Sequence, residues 1–232
     1  MKILGIDTST RFLCIGVFDG LDTYEYRLNL GRGHDVFLIG HIQRVLDSLK
    51  IKIDDLDYLA VGIGPGSFTG LRIGVSTAKA LGLVLKKKLI GISTLDLIAY
   101  NALELKDVLY ICPILDARRG LIYSCLYKKS KSDLARLAPY RLINIEELIK
   151  MVPENVVFLG DGLNLYKHTL IFKIKNARFL DEEFFWPRGT NIIRIALERI
   201  KKKRFNPVNK LNPLYLYPKE CQIQNVSNKR LT

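Results

Sequence analysis

Two aspartates lie at the ends of apolar segments, in positions where a carboxylate can do chemistry. Asp7 ends the segment "ILGID" and Asp116 ends the segment "YICPILD". A carboxylate in a turn can hold a magnesium ion through water. It can equally well accept hydrogen bonds from the backbone N–H groups of its own turn. The residues alone leave both interpretations open, a ligand-binding aspartate or a structural one.

A glycine-rich loop, "GIGPGSFTGLRIG" at residues 62–74, is a second candidate for ligand binding. Its spacing does not match the P-loop, because no suitably spaced pair of glycines is followed by lysine. It does not match the dinucleotide fingerprint either, because Thr69 takes the place of the third glycine. Beyond the loop, Gly74, Ala78 and Gly82 recur every four residues. This small-residue stripe predicts a groove that another helix can approach closely.

The histidines and cysteines do not form a metal-binding pattern. His34 and His41 would lie roughly 10 Å apart along one helix, too far to share an ion at metal–nitrogen distances of about 2 Å. His168 is isolated, and the 4 cysteines form no C-x-x-C pair. The sequence therefore indicates neither a metal site nor a disulfide framework.

The candidate residues need a framework of alternating strands and helices. Three apolar segments separated by turns predict an antiparallel meander over residues 3–30. The apolar period then becomes helical over residues 35–50. A strand at 58–64, a helix at about 69–87, a strand at 88–92 and a helix from about residue 93 follow. This order is typical of an α/β fold.

The second half of the chain repeats the first. "YICPILDARRGLIYSCLY" (110–127) aligns with "KILGIDTSTRFLCIGVF" (2–18), which pairs Asp116 with Asp7. "VVFLGDG" (156–162) aligns with "AVGIGPG" (60–66). Matched turns in the same order predict an internal duplication, with a first lobe over residues 1–105 and a second over residues 106–232. Whether the C-terminal helix and tail return to the first lobe is left open.

This duplicated layout resembles the actin, Hsp70 and sugar-kinase (ASKHA) fold, in which two ribonuclease-H-like lobes hold ATP in the cleft between them. The resemblance places Asp7 and Asp116 on the phosphate side and the "GDG" turn on the adenosine side, where glycines let backbone N–H groups approach a ligand. The candidate nucleotide-binding residues, expected to be vestigial or weak, are Asp7, Thr8, Ser9, Asp116, Gly160 and Gly162.

Four segments together resemble the bacterial TsaB family, also called YeaZ, which takes part in making N6-threonylcarbamoyladenosine in tRNA. The segments are "ILGIDTST", "GHDVFLIGHI", "GIGPGSFTGLRIGVSTAKAL" and "DARRGLIY". They span residues 3–123 in order, and "GPGSFTGLR" is the most specific of them. The carboxyl half resembles the family mainly in layout, with "PLYLY" (213–217) where the family's closing motif often ends in arginine.

The resemblance implies a subunit without catalytic residues of its own. The catalytic relative, TsaD, binds its metal through an H-x-x-x-H motif, and Thr94 and Ile98 stand in the two histidine positions here. Neither residue supplies an imidazole, and isoleucine cannot ligate a metal. The implied role is to dock on and activate a TsaD-type threonylcarbamoyltransferase that modifies adenosine 37 of tRNAs reading ANN codons.

The same resemblance names the expected partners. They are the TsaD-type paralogue, a TsaE-type ATPase and tRNA reached through the complex, with a homodimer as a further assembly. We expect no cofactor or metal in the chain itself, and ATP with magnesium only in the complex. The alternative function is that of an ATP-binding or ATP-hydrolysing enzyme in its own right.

The helix after the glycine loop is apolar nearly all round, so its outer side needs a cover. The helix at 35–50 contributes one apolar stripe and cannot cover all of it. The two helices therefore predict a partner interface, and the alternative is that they pack only within the chain. The predicted interface residues are Leu38, His41, Ile42, Val45, Ile73, Gly74, Thr77, Ala78, Leu81 and Gly82.

Composition restricts the class of protein. The chain of 232 residues is 48% hydrophobic, and its formal net charge is +13 with a pI of about 9.6. Lysine runs at 86–88, 128–131 and 201–204 fit either RNA proximity or solvated element ends. The apolar segment at 3–6 is too short for a signal peptide, and no apolar run reaches the ~20 residues of a membrane span. We therefore expect a cytoplasmic protein without a membrane partner.

Overall fold

The computed structural model describes residues 1–31, 34–130 and 133–217, excluding the side chains of residues 34–37. The described residues form two lobes, each built on a mixed sheet with helices against it. Among the helices of these residues, none combines the length and the hydropathy needed to cross a bilayer.

The first lobe begins with the predicted antiparallel meander. Its elements are β1 (Ile3–Asp7), β2 (Phe12–Phe18), β3 (Thr23–Asn29), α1 (His34–Ser48), β4 (Tyr58–Gly64), α2 (Phe68–Val84), β5 (Lys88–Ser93) and α3 (Thr94–Ala99). The strand order is β3-β2-β1-β4-β5, with β4 parallel to β1 and β5 parallel to β4. Helix α2 ends three residues earlier than predicted, because Lys86 has a positive φ of 52° and the Lys87 N–H donates to Gly82 O at 3.0 Å.

The second lobe repeats this order. Its elements are β6 (Tyr110–Arg118), β7 (Leu121–Ser124), β8 (Tyr127–Lys129), β9 (Leu134–Arg136), β10 (Arg141–Asn144), α4 (Ile145–Ile149), β11 (Val156–Leu159), α5 (Leu163–Lys173), β12 (Arg178–Phe179) and α6 (Gly189–Lys201). The order β10-β7-β6-β11-β12 matches the first sheet strand for strand, and β8 and β9 form an added hairpin on β6. The matched turns agree as well, since Gly64 and Gly160 have φ of 105° and 108°. The predicted duplication and the ASKHA-type fold are confirmed.

The described residues also contain short 3-10 helices. They are Ile53–Asp55, Tyr100–Ala102, Glu182–Phe184 and Val208–Lys210. The last of these leads into the segment that reaches Tyr217.

In each lobe, a helix from the other half of the sequence packs into the core. Helix α6 places Ile192 and Ile193 in a buried cluster with Cys14 of β2. Helix α3 places Leu95 and Ile98 in the buried cluster that surrounds Phe158 of β11. The exchange links the two lobes through apolar packing, so the second half of the chain contributes directly to the first lobe's core.

Threonine is a common N-cap residue, but Thr190 lies inside the first turn of α6. The helix begins at Gly189, one residue earlier, and Arg188 stands at the N-cap position. The Thr190 N–H and hydroxyl both donate to Glu25 Oε2, at 3.0 and 3.1 Å. Thr190 therefore ties the first turn of α6 to strand β3 instead of capping its own helix.

Candidate functional site

A cleft of about 990 Å³ lies between the two lobes. One wall is the β1–β2 turn with the start of α2, and the other is the β6–β7 turn with the start of α5. Its polar lining residues are Ser9, Thr10, Arg11, Ser67, Thr69, Asp116, Arg118, Asp161 and Asn164. This is the place where the ASKHA-type layout predicts a ligand.

Asp7 does not reach this cleft. Its side chain is fully buried, and Oδ1 accepts hydrogen bonds from the Ser9 N–H at 3.0 Å and the Ser9 hydroxyl at 2.7 Å. Oδ2 has no hydrogen-bond partner among the described residues and faces Gly62, where any Cβ would overlap it. Burial raises the pKa of Asp7 to about 6, and the Ser9 hydrogen bonds lower it in part. Asp7 is therefore a buried turn carboxylate, which is one of the two roles that the residues alone left open, and its assignment as a nucleotide-binding residue stays a prediction.

The glycine loop explains why Asp7 is covered. A Cβ at Gly70 would overlap the Thr8 carbonyl oxygen, and the Thr8 hydroxyl donates to Gly70 O at 2.7 Å. The Ser67 N–H donates to Ser9 O at 2.7 Å. These contacts hold the start of α2 directly against the β1–β2 turn. The glycines thus let two pieces of this chain's own backbone meet, and Thr8 is buried with Asp7.

The opposite wall carries the carboxylates that do reach the cleft. Asp116 accepts the Arg118 N–H at 2.7 Å and pairs with the Arg118 guanidinium at 2.9 Å. The Asp116 N–H donates to Asp161 Oδ1 at 3.0 Å. Burial raises the pKa of Asp161, against the lowering effect of this hydrogen bond. The structure therefore joins the predicted Asp116 to Asp161, which the sequence analysis did not select.

The "GDG" turn contributes its middle residue instead of its glycines. The Gly162 N–H donates to Ile114 O at 3.1 Å, and a Cβ at Gly160 would overlap the same oxygen. Both glycines let the turn lie against β6, and their assignment as nucleotide-binding residues stays a prediction. Asp161 could have been selected from the sequence, because it is the only residue of the "GDG" turn that has a side chain.

Arg11 and Trp186 form a further part of the cleft wall that the sequence did not indicate. The Arg11 guanidinium lies 4.5 Å from the Trp186 ring centroid and 2.6 Å from Glu182 Oε1. The two side chains come from halves of the chain that only tertiary packing brings together. Cation–π contacts of this kind orient a guanidinium at a partly desolvated surface.

The residues of the cleft do not reproduce the predicted nucleotide arrangement. Asp7 is buried, the Gly162 N–H is bonded to Ile114 O, and the guanidinium groups of Arg11 and Arg118 are each paired with a carboxylate. Within residues 1–31, 34–130 and 133–217, no group of three or more His, Cys, Asp or Glu side chains could hold a metal ion. Nucleotide binding in the cleft stays a prediction.

The two positions that correspond to the metal-binding histidines of the catalytic relative are inside the protein. Thr94 and Ile98 are both fully buried on α3. Ile98 packs in the core cluster of the second lobe. Ile98 therefore serves the packing of α3 against the second lobe, and the buried Thr94 hydroxyl has no hydrogen-bond partner among the described residues.

The predicted docking residues divide into an inner and an outer group. The buried ones are Leu38, His41, Ile42, Gly74, Ala78 and Gly82, and the partly exposed ones are Val45, Ile73, Thr77 and Leu81. A Cβ at Gly74 would overlap the Thr8 hydroxyl, and one at Gly82 would lie 2.8 Å from Leu89. His41 Nδ1 lies 3.0 Å from the Tyr26 hydroxyl. The small-residue stripe therefore faces the chain's own sheet, and the prediction of an open groove there is wrong.

The exposed apolar side chains of these helices are different residues. Ile39 is 59% exposed, Leu83 is 64% exposed and Val84 is 79% exposed. Ala80 is also exposed, and a Cβ added at Gly40 would meet no atom within 4 Å. We call Ile39, Gly40, Ala80, Leu83 and Val84 the α1–α2 surface. The sequence indicated the excess of apolar residues correctly, but not which of them stay outside.

Comparisons with known proteins agree with the fold and the motifs. The family model of TsaD, tRNA N6-adenosine threonylcarbamoyltransferase, matches residues 29–202. The tRNA threonylcarbamoyladenosine biosynthesis protein TsaB of Bacillus subtilis is 33% identical over 99% of this chain and 100% of its own length. TsaB of Escherichia coli is 27% identical over 93% of this chain and 94% of its own length.

Solved structures support the same fold. YeaZ from Pseudomonas aeruginosa superposes with a TM-score of 0.81 at 18% identity, covering 92% of this chain and all of that one. A second Pseudomonas aeruginosa protein, described as similar to the peptidase YEAZ, superposes with a TM-score of 0.83 at 19% identity, over 93% of this chain and 99% of its own. At these identities the superpositions show the fold alone. The match to the TsaD family model over residues 29–202 agrees with this fold. The 33% identity to TsaB of Bacillus subtilis, over nearly the whole length of both chains, establishes that the chain belongs to the TsaB family.

Proposed function

We propose that this chain is a non-catalytic subunit for the formation of N6-threonylcarbamoyladenosine in tRNA. It docks in the cytoplasm on a TsaD-type threonylcarbamoyltransferase and activates that enzyme toward adenosine 37 of tRNAs reading ANN codons. The family relationship supports the pathway, since its members are named for threonylcarbamoyladenosine biosynthesis. The exposed apolar α1–α2 surface is the observation that carries the docking role.

The α1–α2 surface has the composition of an interface core. Fully burying a side chain such as leucine or valine contributes about 1.5–3 kcal/mol relative to leaving it in water. Ile39, Leu83 and Val84 are all more than half exposed in the isolated chain. A standard interface of ~800 Å² per partner can bury all three with their small neighbours Gly40 and Ala80. Docking of a partner there therefore removes the largest apolar exposure of the helix pair.

The remaining partners follow from this assembly. The TsaD-type protein occupies the α1–α2 surface, and a homodimer through the same surface competes with it. A TsaE-type ATPase and tRNA join the resulting complex. Any ATP with magnesium binds in that complex, and the chain contributes no catalytic side chain to the transfer.

A docking experiment tests the proposal. A Leu83→Asp, Val84→Asp double variant should lose co-elution with the TsaD-type partner, because two carboxylates would have to be desolvated in the interface. The matched control is Ile171→Asp, Phe172→Asp on α5, where the two side chains are 49% and 86% exposed and neither lines the cleft. It should co-elute like the wild type.

Circular dichroism at matched concentrations shows that both variants are folded. Product formation on tRNA by the reconstituted complex should fall with co-elution in the α2 variant and persist in the α5 variant. Unchanged co-elution of a folded Leu83→Asp, Val84→Asp chain rejects docking through the α1–α2 surface.

The cleft favours a second candidate function, an ATP-dependent activity of the chain itself. Asp116 and Asp161 lie together on one wall, and Arg11 lies on the other. If this function is real, the isolated chain turns over ATP in the presence of magnesium, and an Asp116→Ala, Asp161→Ala double variant loses that activity. If the double variant supports full product formation in the complex and the wild type alone is inactive on ATP, this candidate is rejected.

A further inference from the structure

Two basic segments that are far apart in the sequence lie side by side in the structure. They are Lys86–Lys88, before and at the start of β5, and Lys201–Arg204, at the end of α6. An antiparallel bridge joins Leu89 to Asn206, with the Asn206 N–H donating to Leu89 O at 2.8 Å. The Gly91 N–H donates to the Asn206 side chain at 2.8 Å. These bonds hold the two segments against the same edge of the first sheet.

Aromatic contacts of Phe205 stabilise the packing of the segment after α6 against the first sheet. Phe205 stacks on Tyr58 with ring centroids 5.6 Å apart and planes tilted by 7°. The Lys88 ammonium lies 4.7 Å from the Phe205 ring centroid. Lys88 therefore contacts Phe205, the residue that directly follows Arg204 in the chain.

This surface continues into a cavity of about 300 Å³ between α6 and the β8–β10 region. The cations that line it are Arg136, Arg199, Lys202 and Arg204. The Arg136 guanidinium lies 4.4 Å from the Tyr140 ring centroid, which orients it without neutralising it. Carboxylates of Asp96, Asp133 and Glu198 line the same cavity.

The carboxylates are already engaged. Asp96 accepts from the hydroxyls of Tyr127 at 2.7 Å and Tyr140 at 2.9 Å, and it pairs with Arg199 at 3.4 Å. Asp133 accepts from the Tyr100 hydroxyl at 2.6 Å and pairs with Lys202 at 3.7 Å.

The same hydroxyl of Tyr100 lies 3.5 Å from Glu198 Oε2. Within the described parts of the chain, Lys88, Arg136 and Arg204 form no salt bridge. Glu198 forms no salt bridge among these residues either, so the four cations of the cavity outnumber its three carboxylates, and the charge of Lys88 is added to this excess.

We propose that Lys88, Arg136 and Arg204, which we call the basic surface, bind the phosphate backbone of tRNA. The proposal rests on the proposed function, which makes tRNA the substrate of the complex. An excess of cations beside further lysines favours a phosphate-rich partner, and a cavity rimmed by tyrosine hydroxyls accepts a projecting backbone better than it fits a flat bilayer. The basic surface is built from β5, β9 and the segment after α6, and none of its three residues belongs to the α1–α2 surface. One subunit could then contact enzyme and RNA at once.

The test compares two triple charge reversals of equal net charge. Lys88→Glu, Arg136→Glu, Arg204→Glu alters the basic surface. Lys150→Glu, Lys167→Glu, Lys175→Glu alters exposed lysines at the C-cap of α4, within α5 and in the turn after α5. Each chain is assembled with the TsaD-type partner, and binding of an unmodified tRNA transcript is measured from about 50 to about 200 mM salt.

The basic-surface variant should bind tRNA about tenfold more weakly or worse. For this variant, the slope of log affinity against log salt concentration should be smaller in magnitude by about 2 to 3 than for the wild type. The reason is that each lost phosphate contact removes roughly 0.7–0.9 from the slope. The control should keep nearly the wild-type slope. Equal losses in both variants, or none in either, overturn the proposal.

Two further measurements separate the explanations. Vesicles containing phosphatidylserine test the membrane alternative: loss of vesicle binding with unchanged tRNA binding overturns the proposal in favour of a lipid surface. Co-elution with the TsaD-type partner is recorded for every chain. Intact co-elution with unchanged tRNA affinity rejects only the basic surface, whereas a wild-type chain that fails to co-elute rejects the proposed function.

Discussion

Asp7 and Asp116 occupy matching positions in the two lobes, at the end of the central strand and before the first hairpin partner. Asp7 is fully buried beneath the start of α2, with its pKa raised to about 6. Asp116 lines the cleft and pairs with Arg118 at 2.9 Å. Lobes with the same strand order therefore present the same residue type in opposite ways.

The difference comes from the helix that follows the matched glycine turn. In the first lobe, Gly66 and Gly70 let α2 lie directly on the β1–β2 turn, because any Cβ there would overlap backbone oxygens of Ser9 and Thr8. In the second lobe, the glycine turn before α5 lies against Ile114, two residues before Asp116, and Asp116 itself lines the cleft. The place where the glycine turn meets the central strand thus buries one aspartate and leaves the other at the cleft.

Substituting the glycines should have the largest effect on this comparison. Gly70→Ala forces a methyl group against the Thr8 carbonyl, which cannot move without displacing β1, so we expect a loss of about 3 kcal/mol or more in the free energy of unfolding. Gly162→Ala, whose Cβ would stand 3.0 Å from Ile114 O, should lose only about 1 kcal/mol. Urea denaturation followed by the fluorescence of Trp186 measures both.

Gly40→Ala is the control for these glycine variants. Its Cβ would meet no atom within 4 Å, so the higher helix propensity of alanine should stabilise the chain by up to about 1 kcal/mol. If Gly70→Ala is no less stable than Gly162→Ala, the close contact of α2 with the β1–β2 turn does not explain the difference between Asp7 and Asp116.

Charge removal at Asp7 should have the next largest effect, and the sign follows from its raised pKa. Because the folded-state pKa is about 6 and the ordinary value is 3.8, the folded state holds more protons than the unfolded state between these pH values. Stability therefore falls as the pH rises through this window, by up to about 3 kcal/mol in total. Asp7→Asn keeps an oxygen to accept the Ser9 bonds and removes the charge.

The variant should gain stability relative to the wild type as the pH rises from about 4 to about 7. Denaturation at both pH values measures this gain. Asp116→Asn, which removes a pair with an exposed arginine, should change the unfolding free energy by less than about 1 kcal/mol. An Asp7→Asn difference that is the same at both pH values contradicts the buried, protonatable carboxyl.

The smallest effect concerns the segment that links the lobes across the cleft mouth. Leu214 N–H donates to Ile63 O of the first lobe at 2.7 Å, and the Tyr217 hydroxyl donates to Ala117 O of the second at 2.8 Å. Tyr217→Phe should lower stability by about 1 kcal/mol and speed amide exchange in residues 213–217. Tyr215→Phe loses only an exposed bond from Arg72 Nε at 3.2 Å and should change exchange less. Equal exchange in the two variants argues against a link through Tyr217.

The duplication and the order of elements could be predicted because their signals are local. Alternating and helical apolar periods, and the glycine turns after β4 and β11, are properties of short segments. The docking residues were harder, because Gly74, Ala78 and Gly82 form a stripe whether α2 turns it to the sheet or to a partner. The rotation of α2 about its own axis is set by contacts with Thr8 and Leu89, which lie elsewhere in the chain.

The sequence by itself determined the two lobes, the family motifs and the presence of an over-apolar helix pair, since each depends on residue order within one segment. Only the tertiary structure decided that Asp7 is buried while Asp161 lines the cleft, and that Arg136 and Arg204 line one cavity. The reason is physical: burial and electrostatic proximity depend on distances between segments. Those distances follow from how closely backbones can approach, and here the glycines at the start of α2 and the bridge from Leu89 to Asn206 set them.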